Sequence, residues 1–176
     1  MDLITSPMSH KQAPLVRPTW RFLLVHPAHF IAFGFGSGLA KKAPGTFGTI
    51  AALPLYAILM QWLSPFAIAW LCLPVFLIGC WASEVTGKTL GVHDYGGIVV
   101  DEIVAMWLVL LFVPVTVAGW ALAFALFRIF DILKPWPICW FDLRVPGGIG
   151  VMIDDVLAAA YSILAILTIQ HFYPFG

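Results

Sequence analysis

Residues 127–160, FRIFDILKPWPICWFDLRVPGGIGVMIDDVLAAA, hold two arginines, one lysine and four aspartates. The charged fraction of the whole chain is only 10%, against roughly 25% in an ordinary soluble domain. Taking charge out of water is costly, so an apolar chain that clusters charge must either use it or wet it. Asp131, Asp154 and Asp155, with the earlier pair Asp101-Glu102, offer hard oxygen ligands for a divalent cation. Arg128 and Lys134 offer positive charge for a phosphate. The combination reads as metal-assisted phosphate chemistry at a membrane.

Each group has a plainer alternative. Asp101-Glu102 interrupt an apolar run (IVVDEIVAMW) and serve either as ligand and water-orienting neighbour or as a snorkelling helix end. Asp154-Asp155 repeat the pattern before Ala158-Ala159-Ala160, where aspartates near a helix N-terminus would also meet the helix dipole favourably. Arg128, Asp131 and Lys134 follow i, i+3, i+6 spacing, which suits a phosphate-binding face or a simple intrahelical ion pair. In Ala43-Pro44-Gly45-Thr46-Phe47-Gly48, the Thr46 hydroxyl and backbone donors can receive an anion, although an ordinary Pro-Gly turn explains the pattern too. His93-Asp94 reads as a proton shuttle or ligand pair, or as a solvated loop. Glu84 and Lys88, at i, i+4, read as a surface ion pair. A charge near a bilayer centre costs about 2.5–3.5 kcal/mol on insertion scales. Five clustered carboxylates must therefore lie near the interface, be partly protonated, or share a cation. Mg2+ suits such a site because it uses few carboxylates together with waters and phosphate oxygens.

Of the 176 residues, 61% are hydrophobic, and the mean hydropathy is +0.96. These values belong to integral membrane proteins. Nine basic and nine acidic residues balance, so nothing marks a nucleic-acid binder. Cys72, Cys80 and Cys139 lack metal-ligand spacing and read as reduced apolar thiols. The first 22 residues contain no apolar signal-peptide core, and the expectation is a cytoplasmic N-terminus. Residues 23–35, interrupted by His26, Pro27 and His29, read as an interfacial helix or lead-in.

Apolar runs cover 49–63, 66–82, 98–118, 120–133 and 156–171, several of them shorter than the ~20 residues of a perpendicular span. They lack the polar alternation of barrel strands. The expected fold class is all-α, a polytopic membrane bundle of about four to five apolar helices. Residues 1–35 form an N-terminal cytoplasmic or interfacial segment, and 36–176 a single membrane-embedded domain. Turns at Ser64-Pro65 and Gly119-Trp120 are free of charge, whereas the other connections carry the ionisable groups. Hairpins would gather all charge at one face, cytoplasmic by the positive-inside tendency. Pro135 and Pro137 should stop the helix carrying Asp131 and Lys134. Gly147, Gly148 and Gly150 read as a flexible turn before Asp154-Asp155.

The blocks GFGSG (34–38), PGTFG (44–48), GVHD (91–94), IVVDEIVAMW (98–107), FRIFDILKPWPICWFD (127–142) and GGIGVMIDD (147–155) together resemble the phosphatidylglycerophosphatase A family. That resemblance implies an all-α, Mg2+-dependent phosphatase of the bacterial inner membrane. Its substrate would be phosphatidylglycerophosphate and its lipid product phosphatidylglycerol. By resemblance the functional blocks fall on Asp101, Glu102, Asp131, Asp154, Asp155, Lys134, His93 and Asp94. Ala105 and Ala159 stand where glycine is expected.

The resulting assignment gives Mg2+ to Asp101, Asp131 and Asp154, and catalytic roles to Glu102, Asp155, His93 and Asp94. Thr46, Arg128 and Lys134 receive the substrate phosphate, and a water deprotonated by a spare carboxylate or His93 attacks phosphorus. The expected partners are phosphatidylglycerophosphate and membrane lipids, without nucleic acid. The enzyme rival is a CDP-lipid phosphatidyltransferase, whose D-G-x-x-A-R motif is absent. A small cation transporter is the non-enzyme rival, opposed by the neighbouring Arg and Lys.

Overall fold

The computed structural model describes residues 14–92 and 94–173. Among the described residues eight α-helices follow one another: α1 Trp20–Val25, α2 Pro27–Ala32, α3 Pro44–Leu59, α4 Pro65–Leu90, α5 Val100–Leu110, α6 Val117–Leu133, α7 Ile138–Arg144 and α8 Gly147–Phe172. A 3-10 segment, Gly34–Leu39, joins α2 to the approach of α3. The described residues contain no strand. The all-α expectation holds, and α3, α4, α5, α6 and α8 are the five apolar helices.

Two of them, α4 and α8, are long and apolar enough to cross a membrane. At 1.5 Å per residue their 26 residues each extend about 39 Å, beyond the ~30 Å of a hydrocarbon core. Only 28% of the apolar window of α4 is buried within the fold, and Phe66, Trp70, Leu73 and Leu77 face outward. An apolar surface this extensive is foreign to a soluble monomer.

The helix α5 is the axis of the molecule. All of its residues except Leu108 are buried, enclosed by α3, α4, α6 and α8. Trp107 donates its indole N–H to the Ala52 carbonyl of α3 at 3.0 Å. Small residues let the neighbours close in: Gly79, Ala82 and Ser83 on α4, and Ala158, Ala159 and Ser162 on α8, are buried. Ala105 and Ala159, found where glycine was expected, are fully enclosed at 0% and 1% exposure.

The lead-in before α3 is folded onto this core. Leu23, Ala28, Ala32 and Phe33 are wholly buried. His29 lies 3.0 Å from the Thr86 hydroxyl of α4 and stacks on Phe22.

Three boundaries differ from the sequence expectation, each for a local reason. The uncharged turn expected at Gly119-Trp120 lies earlier, between Leu110 and Val117. Thr116 caps α6 there by accepting from the Gly119 N–H at 3.0 Å, so Gly119 belongs to the first turn of the helix. The run ending near residue 82 continues to Leu90, where Gly91 closes α4 in the left-handed conformation at φ +68°.

The third difference is at α8. The glycines read as a flexible turn form its first turn. Gly148 packs against the Cys80 carbonyl and Gly150 against the Val145 carbonyl, positions that admit no side chain. The expected stop before Pro135 is met, with α6 ending at Leu133 and Lys134 as its left-handed cap at φ +41°.

Candidate active site

Three helices bring the ionisable groups together, and a fourth packs beside them. Asp101 and Glu102 occupy the first turn of α5, where the positive end of the helix dipole favours them. Arg128 and Asp131 stand on the last turns of α6, Lys134 caps it, and Asp154-Asp155 lie two turns inside α8. The fourth helix, α3, presents Gly45, where a Cβ would collide with the Glu102 carboxylate and crowd Arg128.

Asp101, Glu102, Asp154 and Asp155 are only 8%, 9%, 7% and 4% exposed. One carboxylate oxygen from each of Asp101, Glu102 and Asp155 lies within 4.8 Å of the others. Asp131 and Asp154 flank this trio, Asp131 facing Asp155 and Asp154 within electrostatic reach of Asp101. Each flanking aspartate has its own cation. Arg128 contacts Asp131 at 2.6 Å and approaches Glu102 at 3.9 Å, and Lys134 contacts Asp154 at 2.5 Å. Asp101 and Asp154 also accept the backbone N–H of the residue that follows each, at 3.0 and 3.1 Å.

Two features point to a missing partner. Glu102 Oε2 and Asp155 Oδ2 are buried with no hydrogen-bond partner among the described residues, and so is Arg128 Nε. A buried polar atom left unpaired costs about 1–3 kcal/mol, more when it is charged. Five carboxylates also face two cations here, which leaves three negative charges uncompensated when all are ionised. A divalent cation between Asp101, Glu102 and Asp155 would pair the two orphaned carboxylate oxygens and offset two of the three charges, and an anion such as a phosphate would pair with Arg128 Nε. The donor set is all carboxylate oxygen, which suits Mg2+ or another hard ion and excludes a thiolate or imidazole site.

The candidate trio shares Asp101 with the expected set of Asp101, Asp131 and Asp154. The trio is closed by Glu102 and Asp155, while Asp131 and Asp154 are engaged by Arg128 and Lys134. Thr46 sits half-buried in the first turn of α3. It is Thr49, one turn further on and fully buried, whose hydroxyl donates to the Gly45 carbonyl and lies 3.5 Å from Arg128. Its spacing of three from Thr46 was the available signal. Asp94 lies exposed in the loop between α4 and α5, and His93 falls outside the described residues. Glu84 and Lys88 form the expected ion pair at 2.9 Å. Glu84 also accepts the Gly148 N–H at 2.8 Å, pinning the start of α8 to α4.

Residues 30–170 match the sequence model of the family Phosphatidylglycerophosphatase A. The chain belongs to the phosphatidylglycerophosphatase A family. It is therefore a phosphatase. Two relatives named phosphatidylglycerophosphatase A support the same conclusion. The one from Haemophilus influenzae is 45% identical over 88% of this chain and 95% of its own, and the one from Escherichia coli is 42% identical over 89% and 91%. A Bacteroides thetaiotaomicron protein named putative phosphatidylinositol-3-phosphatase is 40% identical over 77% of this chain and 89% of its own. No solved structure matches the chain. The match to the phosphatidylglycerophosphatase A family takes in every charged residue of the site described above.

Proposed function

We propose that the protein is a Mg2+-dependent phosphatidylglycerophosphatase, releasing the terminal phosphate of a membrane lipid to leave phosphatidylglycerol. The reading rests above all on the buried trio Asp101, Glu102 and Asp155, with two unpaired oxygens beside Arg128 and Lys134. The printed names of the Haemophilus influenzae and Escherichia coli relatives supply the substrate.

Asp101, Glu102 and Asp155 would hold the metal, with Asp131 and Asp154 close enough to exchange into its shell. Bound there, the ion supplies Lewis-acid polarisation of a phosphoryl oxygen and neutralises developing charge. The protein's own groups do the rest. Arg128 and Lys134 meet the non-bridging phosphate oxygens and align the ester for in-line displacement. Each would do so at the expense of its present aspartate contact, so substrate entry frees a carboxylate. That carboxylate, Asp131 or Asp154, accepts the proton of the attacking water. Thr49 steadies the Arg128 guanidinium from the α3 side.

The setting we propose is the bacterial inner membrane, spanned by α4 and α8, with the site at the cytoplasmic end. Support comes from the lipid-like exposure of α4 and from the placement of charge. Lys41, Lys42, Lys88 and Arg144 belong to the segments at the carboxylate end, whereas the turns at 60–64 and 111–116 carry no charge.

The test is phosphate release from phosphatidylglycerophosphate by protein purified in detergent, with Mg2+ and with EDTA. We expect turnover with the metal, none in the chelator, and loss of at least 10³-fold in Asp101→Asn at unchanged helicity. Turnover in EDTA would end the metal reading.

A further inference from the structure

Three segments that the carboxylate cluster leaves unused meet at one cavity of about 380 Å³. They are the end of the 3-10 segment at Gly38, the entry to α3 at Lys41 and Pro44, and the Tyr95-Gly96-Gly97 stretch before α5. Glycine lets them meet. A Cβ on Gly38 would collide with the Gly97 carbonyl, and one on Gly97 would press on the Tyr95 and Phe33 rings. The walls at Gly38 and Gly97 are thus in close contact, and open space is left beside Gly96.

The charge of the cavity is one-sided. Among the described residues Arg17 and Lys41 line it, and no carboxylate does. Neither forms an ion pair with another described residue. The segment bearing Arg17 is tied down on both sides, by the Leu15 N–H donating to the Leu90 carbonyl at 2.9 Å and by Thr19 capping α1. Two cations at a cavity mouth, without an ion-pair partner among the described residues, favour an anion.

The cavity also adjoins the carboxylate cluster. Pro44 forms part of its wall, and the next residue, Gly45, faces Glu102 and Arg128. Consecutive Cα atoms are about 3.8 Å apart, so a single residue separates the two spaces. On the other side Gly97 leads within four residues to Asp101, along a backbone held by the Val99 N–H donating to Ala32 at 2.8 Å.

We propose that this cavity binds the part of the headgroup that is not hydrolysed, the glycerol bridge and its phosphodiester. Arg17 and Lys41 meet the diester charge, and the open side of Gly96 admits the bridge while the terminal phosphate reaches the carboxylates. The proposal rests on the phosphatidylglycerophosphatase reading above. The same charge chemistry would also attract bulk anionic lipid, and the experiment separates the two sources.

Turnover of phosphatidylglycerophosphate is measured in neutral detergent micelles and in phosphatidylserine vesicles for the wild type, the Arg17→Ala/Lys41→Ala pair, Gly96→Asp and Lys42→Ala. Gly96 has open space where a side chain would project, so Gly96→Asp offsets one of the two positive charges without a clash. Lys42 is exposed and does not line the cavity, and serves as the charge-matched control. Short-chain phosphatidylglycerol, which keeps the diester, and inorganic phosphate, which lacks it, are used as inhibitors.

We expect KM and the phosphatidylglycerol inhibition constant to rise roughly tenfold in the double variant and in Gly96→Asp, the scale of one lost charge-assisted contact. The value of kcat, the inhibition constant of inorganic phosphate and all values for Lys42→Ala should stay within about twofold. An unchanged phosphatidylglycerol constant beside normal wild-type turnover would overturn the proposal alone. So would an equal rise for inorganic phosphate, or a defect confined to phosphatidylserine vesicles, which would assign the cations to the membrane surface. A wild type that releases no phosphate would remove the underlying functional reading and this proposal with it.

Discussion

Lys134 holds Asp154 at 2.5 Å from a left-handed backbone position, and Arg128 holds Asp131 at 2.6 Å, so both cations pair with the aspartates that flank the carboxylate trio. If Lys134 turns from Asp154 to the substrate phosphate, Lys134→Ala should lower kcat by roughly 10²–10³-fold, the scale of one lost electrostatic stabiliser. Lys134→Arg should restore only part, because a planar fork does not replace a compact ammonium. Steady-state kinetics at saturating Mg2+ checks both, and full activity in Lys134→Arg would reduce the lysine to a snorkelling helix end. The five carboxylates and two cations were legible in the sequence because charge is conspicuous in a chain this apolar. Their pairing was not, since it depends on how far each helix is rotated about its axis. Thr49 was hidden for a related reason. A threonine in an apolar run looks like packing until its hydroxyl is seen beside Arg128.

At the scale of the helices, the conformation of Lys134 sets function against backbone preference. An L-residue in the left-handed region costs about 1–2 kcal/mol, a penalty glycine avoids. Lys134→Gly and Lys134→Ala both lack the ammonium and should be equally inactive. The glycine variant should nevertheless be more stable than the alanine one by about 1 kcal/mol, and thermal unfolding in detergent decides the order. Equal midpoints would mean that the α6 cap relaxes out of this conformation. The helix stop itself was legible, because Pro135 announces it. The turn between α5 and α6 was not, since Pro114 and Thr116 sit in an unbroken apolar run and the cap at Thr116 appears only once Gly119 is placed. The start of α8 was misread for the opposite reason. Glycines that suggest a loose turn are there so that a backbone can approach another backbone.

For the whole molecule, the gathering of charged helix ends predicts sidedness. In a cysteine-free background, Lys88→Cys and Arg144→Cys should react with an impermeant thiol reagent from the cytoplasmic side, and Ser64→Cys from the other. Labelling of Lys88→Cys and Arg144→Cys on different sides would dismantle the single-face arrangement. Within the bundle, α8 meets α4 at two fixed points, Gly148 on the Cys80 carbonyl and Gly79 on Met152. Together they act as an alignment gauge between two long rods. One notch of slip along a helix is about 5.4 Å, already more than the 4.8 Å within which the trio's oxygens gather. The tolerance is therefore less than one notch. A methyl at position 148 would act as a shim, pushing the rods apart by a fraction of that distance. Gly148→Ala should lower kcat by roughly 10²-fold for a shift near 1 Å, while the unfolding midpoint moves by only a few degrees. A variant that loses stability and activity in proportion would place the tolerance elsewhere in the bundle.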